Sequence, residues 1–370
     1  MNTSDLIYPP QRRKSRVVKI GEVLIGGGFP IAVQSMTTAD TRDIAATVAQ
    51  TNQLFEAGAD IVRLSVLNHH AGDQLADIRK QVTGAIVADI HFQYKLALKA
   101  IEAGFDKIRI NPGNIGAEWK VREVTKAAKE AGVPIRIGVN SGSLPEDVLA
   151  KYGHDDPRGF VEAALREIHV LEDMNFQDIV ISVKSTNTTT AYYAYRMLAE
   201  QCDYPLHVGI TEAGTLETGT IKSSVGIGAI LLSGIGDTIR VSLTADPVHE
   251  VRVGKQILKS CALKQDGLEV IACPTCGRCQ IDMIPLAESI ERKTKHIKMP
   301  LKVAVMGCAV NGPGEAKAAD VGIAGGDGKG MLIKKGEVVK IFQEDELEEQ
   351  LLREIEEMTG EKVDRENAGS

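Results

Sequence analysis

The stretch "IACPTCGRCQ" (271–280) gathers Cys273, Cys276 and Cys279 at Cys-x-x-Cys-x-x-Cys spacing. That spacing suits an iron–sulfur cluster, half of a zinc ribbon, or a redox dithiol with a spare thiol. A zinc ribbon wants a second Cys-x-x-Cys downstream, yet only Cys308 follows, in "VMGCAVNGPGEA". A radical enzyme using S-adenosylmethionine would want Cys-x-x-x-Cys-x-x-Cys near the chain start, and that run is absent. Cys308 ends an apolar strand pattern, and the turn residues "NGPG" can swing Glu315 back toward the same point. The economical donor set is Cys273, Cys276 and Cys308 with a weaker fourth donor. A carboxylate there is a hard ligand and exchanges more readily than a thiolate. Cys279 is the rival fourth donor, and its ligation would close the cluster and restrict it to electron transfer. Cys202 and Cys261 read as buried apolar residues.

A second set of chemical residues lies upstream. Arg63, Arg109, Arg136, Lys184 and Arg240 all fall inside β-branched runs, where aliphatic residues usually sit. Period-two alternation puts Arg109 on a face with Asn111, Arg136 with Asn140, Lys184 with Ser182 and Arg240 with Ser242. Five cations on five strands converge if all point inward, and arginine forks suit phosphate oxygens. The bland alternative pairs each cation with a carboxylate or turns it outward between helices. Asp89 and His91 in "VADIHF" share one face, and Glu212 follows in "GITEAG"; beside a phosphate site these are candidates for proton transfer and hydroxyl binding.

The elements that must position these groups follow from the pattern between residues 30 and 246. Strand runs "PIAVQSM", "DIVRLSV", "AIVADIHF", "KIRINPG", "PIRIGVN", "DIVISVKS", "LHVGITEA" and "TIRVSLT" alternate with helical stretches, several closing on Gly. Eight such units predict an α/β fold, a (β/α)8 TIM barrel. "RVVKIGEVLIG" reads as a hairpin turning near Gly21 and placed to plug the barrel bottom. The expected domains are a substrate barrel with its hairpin over 1–265, a smaller α/β iron–sulfur domain over 266–350, and a helix end and tail over 351–370. "EDELEEQLLREIEEM" predicts an amphipathic surface helix, and "EKVDRENAGS" a frayed tail.

Composition bounds the class. Of 370 residues, 43% are apolar and 25% charged, the mix of a globular protein. A formal charge of −7 speaks against nucleic acid as a partner, so Arg12-Arg13-Lys14 is read as a solvated leader. The polar, basic first twenty residues do not form a signal peptide. No apolar run reaches the ~18 residues of a membrane span. The expectation is a cytoplasmic protein.

The whole pattern resembles the bacterial 4-hydroxy-3-methylbut-2-enyl diphosphate synthase family in its short two-domain form. The likeness rests on "RRKSRVVKIG", "PIAVQSMT", "DIVRLSV", "VADIHF", "IRINPGNIG", "IRIGVNSGSL", "HVGITEAG", "IRVSLTADP", "ACPTCGR" and "NGPGEA". The resemblance implies a 4Fe–4S cluster on Cys273, Cys276, Cys308 and Glu315. It implies reductive ring opening and dehydration of 2-C-methyl-D-erythritol 2,4-cyclodiphosphate in the methylerythritol phosphate route to isoprenoids. Two electrons would arrive one at a time from flavodoxin or ferredoxin. The diphosphate would be held by Arg63, Arg109, Arg136, Lys184 and Arg240 with Asn140 and Ser242, while Asp89 and His91 line the pocket and Glu212 moves a proton. It further implies a homodimer in which one chain's cluster domain caps the other's barrel. Relatives commonly carry Thr where this chain has Cys279, a thiol that is inert, a site of oxidation, or a competitor of Glu315. Two other readings are an iron–sulfur electron carrier or sensor on a barrel scaffold, and a phosphate- or pterin-binding barrel enzyme with a zinc-stabilised tail.

Overall fold

The computed structural model describes residues 11–265, 267–308 and 312–365. These divide into two compact units, with the break between Lys264 and Gln265.

In the first unit, a hairpin of β1 (Val18–Ile20) and β2 (Val23–Ile25) precedes eight parallel strands. They are β3 (Ala32–Met36), β4 (Ile61–Val66), β5 (Ala85–Ile90), β6 (Lys107–Ile110), β7 (Ile135–Asn140), β8 (Ile179–Lys184), β9 (His207–Val208) and β10 (Thr238–Ile239). Hydrogen bonding runs in order from β8 down to β3, then to β10 and β9. A parallel bridge from Ile181 to Leu206 closes the ring. The runs "LHVGITEA" and "TIRVSLT" contribute only two residues each to the sheet before leaving it as loops at the mouth. Helices between the strands start at side-chain caps such as Asp43, Asn68, Asp156, Asn187 and Asp246, whose oxygens accept orphan backbone N–H groups.

Alternation along the strands sorts the chain into two chemistries. Ile86, Ala88 and Ile90 of β5, with Ile108 and Ile110 of β6, face outward into the main core under the helices. At the inner bottom, Val18, Ile20 and Ile25 of the hairpin pack on Ile61, Val87 and Val180, so β1 and β2 seal that end with apolar surface. The residues that remain inside, above this plug, are polar.

The second unit is a five-stranded sheet of β11 (Leu268–Ala272), β12 (Leu301–Met306), β13 (Val321–Gly326), β14 (Lys329–Lys334) and β15 (Glu337–Gln343). The first three are parallel and the last three antiparallel. Helices Met283–Thr294 and Leu347–Thr359 cover one face through Ile290, Leu351, Leu352 and Ile355. The acidic helix thus buries its leucine stripe and keeps its carboxylates outside, save Glu354, which is buried and paired with Lys334, and it runs as one element through position 350. No helix among the described residues is long and apolar enough to cross a membrane.

Two segments expected to be loose are tied down. Arg12 donates to the Asp237 carboxylate at 3.0 Å, as does Ser15 at 2.8 Å, and Arg13 donates to the Cys202 carbonyl at 2.8 Å. Arg16 lies 4.3 Å over the Tyr204 ring. The basic cluster is therefore a staple on the barrel, not a solvated leader; its acceptors Cys202 and Asp237 lie 189 and 225 residues away in the chain from Arg13 and Arg12, beyond local pattern. At the other end, Arg365 pairs with Glu349 and Glu356, and Val363 is buried, so the tail is anchored as far as Arg365. Residues 366–370 of the expected tail lie outside the described residues.

Asp237 is the buried anchor of the first staple, accepting also from the Leu206 N–H at 2.8 Å. Asp237→Ala is expected to cost about 3–5 kcal/mol in urea unfolding, because it strands buried donors. Limited proteolysis should then cut before Val18, where the intact protein resists.

Candidate functional site

The barrel interior collects the strand-borne charges. Because Ile108 and Ile110 face outward, Lys107 and Arg109 of β6 point inside. Register places Asp89 beside Arg109 and Arg109 beside Arg136, while Asn140 at the end of β7 lies beside Lys184 at the end of β8. Arg63, Asp89, Arg109, Arg136 and Lys184 are all buried, and Arg240, just past β10, is half-buried.

Backbone space is cut to fit these long side chains. A Cβ on Gly138 of β7 would stand 2.7 Å from Arg109 Nε. One on Gly209, past β9, would stand 2.6 Å from the Arg240 carbonyl and 3.0 Å from Lys184 Nζ. Glycine at these two inward positions is what admits the cations beside them.

Counter-charge is scarce. The Asp89 carboxylate accepts from Arg109 Nη1 at 3.0 Å and lies 3.5 Å from Arg63 Nε and 3.4 Å from His91 Nε2. Glu250, buried on helix Pro247–Ser260, lies 3.3 Å from Arg240 and accepts from Ser35 and the Leu243 N–H. Two carboxylates thus face four arginines and two lysines, Lys107 included. Burial alone would raise the Asp89 carboxyl, but Arg63 and Arg109, with His91, outweigh it and hold the group well below the usual range. Burial and then the neighbouring cations push Arg136, Lys107 and Lys184 down. Arg63 falls to about 10 for the same first reason, partly offset by Asp89.

Several donors here have no acceptor among the described residues: Arg109 Nε, Arg136 Nε and Nη1, and Lys107 Nζ. Buried guanidinium N–H groups without acceptors are costly. A polyanion supplies both the acceptors and the missing negative charge.

At the rim, His91 and Ser242 are half-buried, and Asn140 is too, its N–H donating to Ser143 Oγ at 3.3 Å. Glu212 is exposed in the loop after β9 with a φ of 51°, a left-handed backbone uncommon for glutamate. The sequence reading passed over Lys107 and Glu250. Lys107 was visible as the residue two before Arg109 in "KIRI". Glu250 sits on an outer helix and has no local signal.

Cys273, Cys276, Cys279 and Cys308 lie in the second unit, while Cys202, half-buried, and Cys261, buried, lie in the first. Cys273 follows β11 and Cys308 follows β12, so adjacent parallel strands end in sulfur. The Gly307 N–H donates to Cys273 Sγ at 3.2 Å. Tight turns from Cys276 N–H to the Pro274 carbonyl and from Cys279 N–H to the Cys276 carbonyl fold the loop between. Cys276 is exposed; the Arg278 backbone N–H and charge push its thiol down, and Cys308 is near enough to oppose that. Cys279 differs: its thiol donates to the Ile281 carbonyl at 3.3 Å and its sulfur packs over Gly307 within the apolar face. Glu315 is exposed at the end of the short helix Gly312–Glu315, whose first N–H bonds the Cys308 carbonyl at 3.2 Å.

Among the described residues, no three His, Cys, Asp or Glu side chains converge on a point for a single metal ion. A cluster asks for something wider, with soft donors at separate corners. Thiols at neighbouring strand ends, one receiving an amide N–H, fit that demand.

Comparison with known proteins gives a consistent result. The GcpE TIM-barrel domain matches residues 15–255 and the GcpE protein C-terminal domain residues 269–357. The 4-hydroxy-3-methylbut-2-en-1-yl diphosphate synthase (flavodoxin) of Caldanaerobacter subterraneus subsp. tengcongensis is 58% identical over 95% of this chain and 99% of its own. The protein of that name from Clostridium perfringens is 54% identical over 93% of this chain and 99% of its own. Among solved structures, Yersinia pestis dihydropteroate synthase bound to a sulfonamide drug aligns with a TM-score of 0.50 at 12% identity, covering 67% of this chain and all of its own. That likeness concerns the barrel fold alone.

Gly138→Ala is expected to displace Arg109 and weaken pyrophosphate binding about tenfold to a hundredfold, the worth of one charge-assisted contact. Titration calorimetry measures this. Unchanged affinity would show that Arg109 does not face the anion.

Proposed function

This chain belongs to the GcpE family, and from that membership we propose that it is a cytoplasmic 4-hydroxy-3-methylbut-2-enyl diphosphate synthase of the methylerythritol phosphate pathway. It opens the ring of 2-C-methyl-D-erythritol 2,4-cyclodiphosphate and removes a hydroxyl as water, taking two electrons from flavodoxin or ferredoxin. The observation that carries this reading is the excess of buried, acceptor-poor cations inside the barrel.

The first unit is then the substrate domain and the second the cluster domain. Arg63, Arg109, Arg136, Lys184 and Arg240 bind the diphosphate and neutralise the charge that grows on it as a leaving group. Asn140 and Ser242 hold its oxygens at the rim. Asp89 keeps Arg63 and Arg109 fixed rather than touching phosphate, since its oxygens are already engaged by them. His91 lines the pocket through the same carboxylate. Glu212, exposed on its loop, holds the proton that leaves with the hydroxyl. Cys273, Cys276, Cys308 and Glu315 hold a 4Fe–4S cluster, which when bound supplies single electrons and a Lewis-acidic iron. Cys279 stays out of that set, consistent with its bond to Ile281.

A homodimer is part of the same proposal. On helix Leu216–Leu232, Ile221, Val225 and Leu232 remain 60–62% exposed, with Tyr193 of the neighbouring helix also exposed. Such a face on a surface helix marks contact with another chain. Val225→Glu is expected to yield a monomer in light scattering, and an unchanged mass would remove this support.

The decisive experiment is anaerobic reconstitution, iron and sulfide counting, and assay on the cyclic diphosphate with reduced flavodoxin. Cys308→Ala should lose the cluster. Glu315→Ala should retain much of it yet turn over about 10–100-fold more slowly. Full activity in Cys308→Ala would overturn the assignment.

A further inference from the structure

Lys107 has no part in the reading above. It sits on β6 two residues below Arg109, fully buried, and its Nζ has no hydrogen-bond partner among the described residues. The groups facing it are Arg63 from β4, Arg136 from β7 and His207 from β9. Asp89 of β5 is committed to Arg63, Arg109 and His91. His207 donates to or accepts from Thr238 Oγ1 at 2.7 Å through Nδ1, leaving Nε2 without a partner. Lys184 of β8 lies higher, against Gly209 near the mouth.

Burial without an acceptor, and then the nearby Arg136 and Arg63 guanidinium groups, push Lys107 toward the uncharged amine. We propose that Lys107 is a positioning residue beneath the anion site, taking up a proton when the diphosphate enters and bracing Arg136 against it. This rests on the proposed substrate. An anion lodged over Arg63 and Arg136 cancels the repulsion that kept the amine neutral. The reaction is –NH2 plus a solvent proton giving –NH3+, with no other bond made or broken.

The ligand's own chemistry makes the step visible. Each phosphorus of a cyclic diphosphate carries one strongly acidic oxygen, so the molecule is a dianion near neutrality and neither accepts nor releases protons there. Any proton taken up on binding therefore goes to the protein. Ring opening leaves the electron pair of the broken carbon–oxygen bond on phosphate and adds one negative charge. A protonated Lys107 below Arg136 supplies the additional positive charge.

The test is calorimetric titration of the cyclic diphosphate into the cluster-loaded enzyme near pH ~7.5, in buffers of different ionisation enthalpy. The expected uptake is about one proton per ligand. Lys107→Met, an unbranched apolar replacement, should melt no lower than the parent, bind about tenfold more weakly and lose that proton. Lys107→Gln serves as the second variant should the first not fold. Zero uptake by the parent, or a proton count unchanged in either variant, overturns the proposal and leaves the function standing. Failure of the cyclic diphosphate to bind at all overturns both.

Discussion

Among the described residues, Asp89 is the one carboxylate the barrel strands place among their cations. It is bound on one side by Arg109 at 3.0 Å and approached on the other by Arg63 at 3.5 Å. Mutual repulsion among buried charges is strong where water cannot screen it. One carboxylate within the ring and one from the outer layer, Glu250, leave that repulsion only partly cancelled. The interior is consequently poised for a ligand of opposite charge, and its geometry is fixed before the ligand arrives. Such preorganisation is what electrostatic catalysis requires, since little reorganisation remains for the moment of reaction.

A polar interior of this kind is tolerable only because the rest of the unit is strongly apolar. The outward faces of the same strands are aliphatic and fully buried beneath the helices. The hairpin β1–β2 closes the bottom with valine and isoleucine, which keeps water from entering at the end remote from the mouth. Gly138 and Gly209 give up packing of their own so that Arg109 and Lys184 fit. Strand, plug and glycine therefore serve a single electrostatic arrangement, and the N-terminal staple on Asp237 fastens the hairpin's leading segment to the ring it seals.

Much of this was legible in the sequence because alternation in a strand is a strict rule. Once "KIRI" and "DIVRLSV" are strands, the arginines must share faces with their i±2 neighbours. The Cys-x-x-Cys run and the later Cys308 were legible as donors from type and spacing alone. What escaped was long-range. Glu250 reaches Arg240 from an outer helix, and Arg12 reaches Asp237 across most of the barrel's length in sequence. The anchoring of Val363 and Arg365 depends on where the acidic helix packs, which charge pattern does not specify. Lys107 was missed for a different reason: a lysine opening a strand resembles a solvated end, and only barrel closure reveals that it is sealed.

The second unit poses the same problem with the sign reversed. Its thiols become useful as thiolates, and Cys308 disfavours negative charge on Cys276. The unit answers with amide N–H groups, from Arg278 to Cys276 and from Gly307 to Cys273, and with the Arg278 charge beside Cys276. The first unit thus carries surplus cation, and mutual repulsion among buried cations weighs against its stability. A ligand that binds only the folded state offsets that burden in proportion to its affinity. Function and instability here share an origin, because the buried cations that repel one another are the groups proposed to recognise the anion.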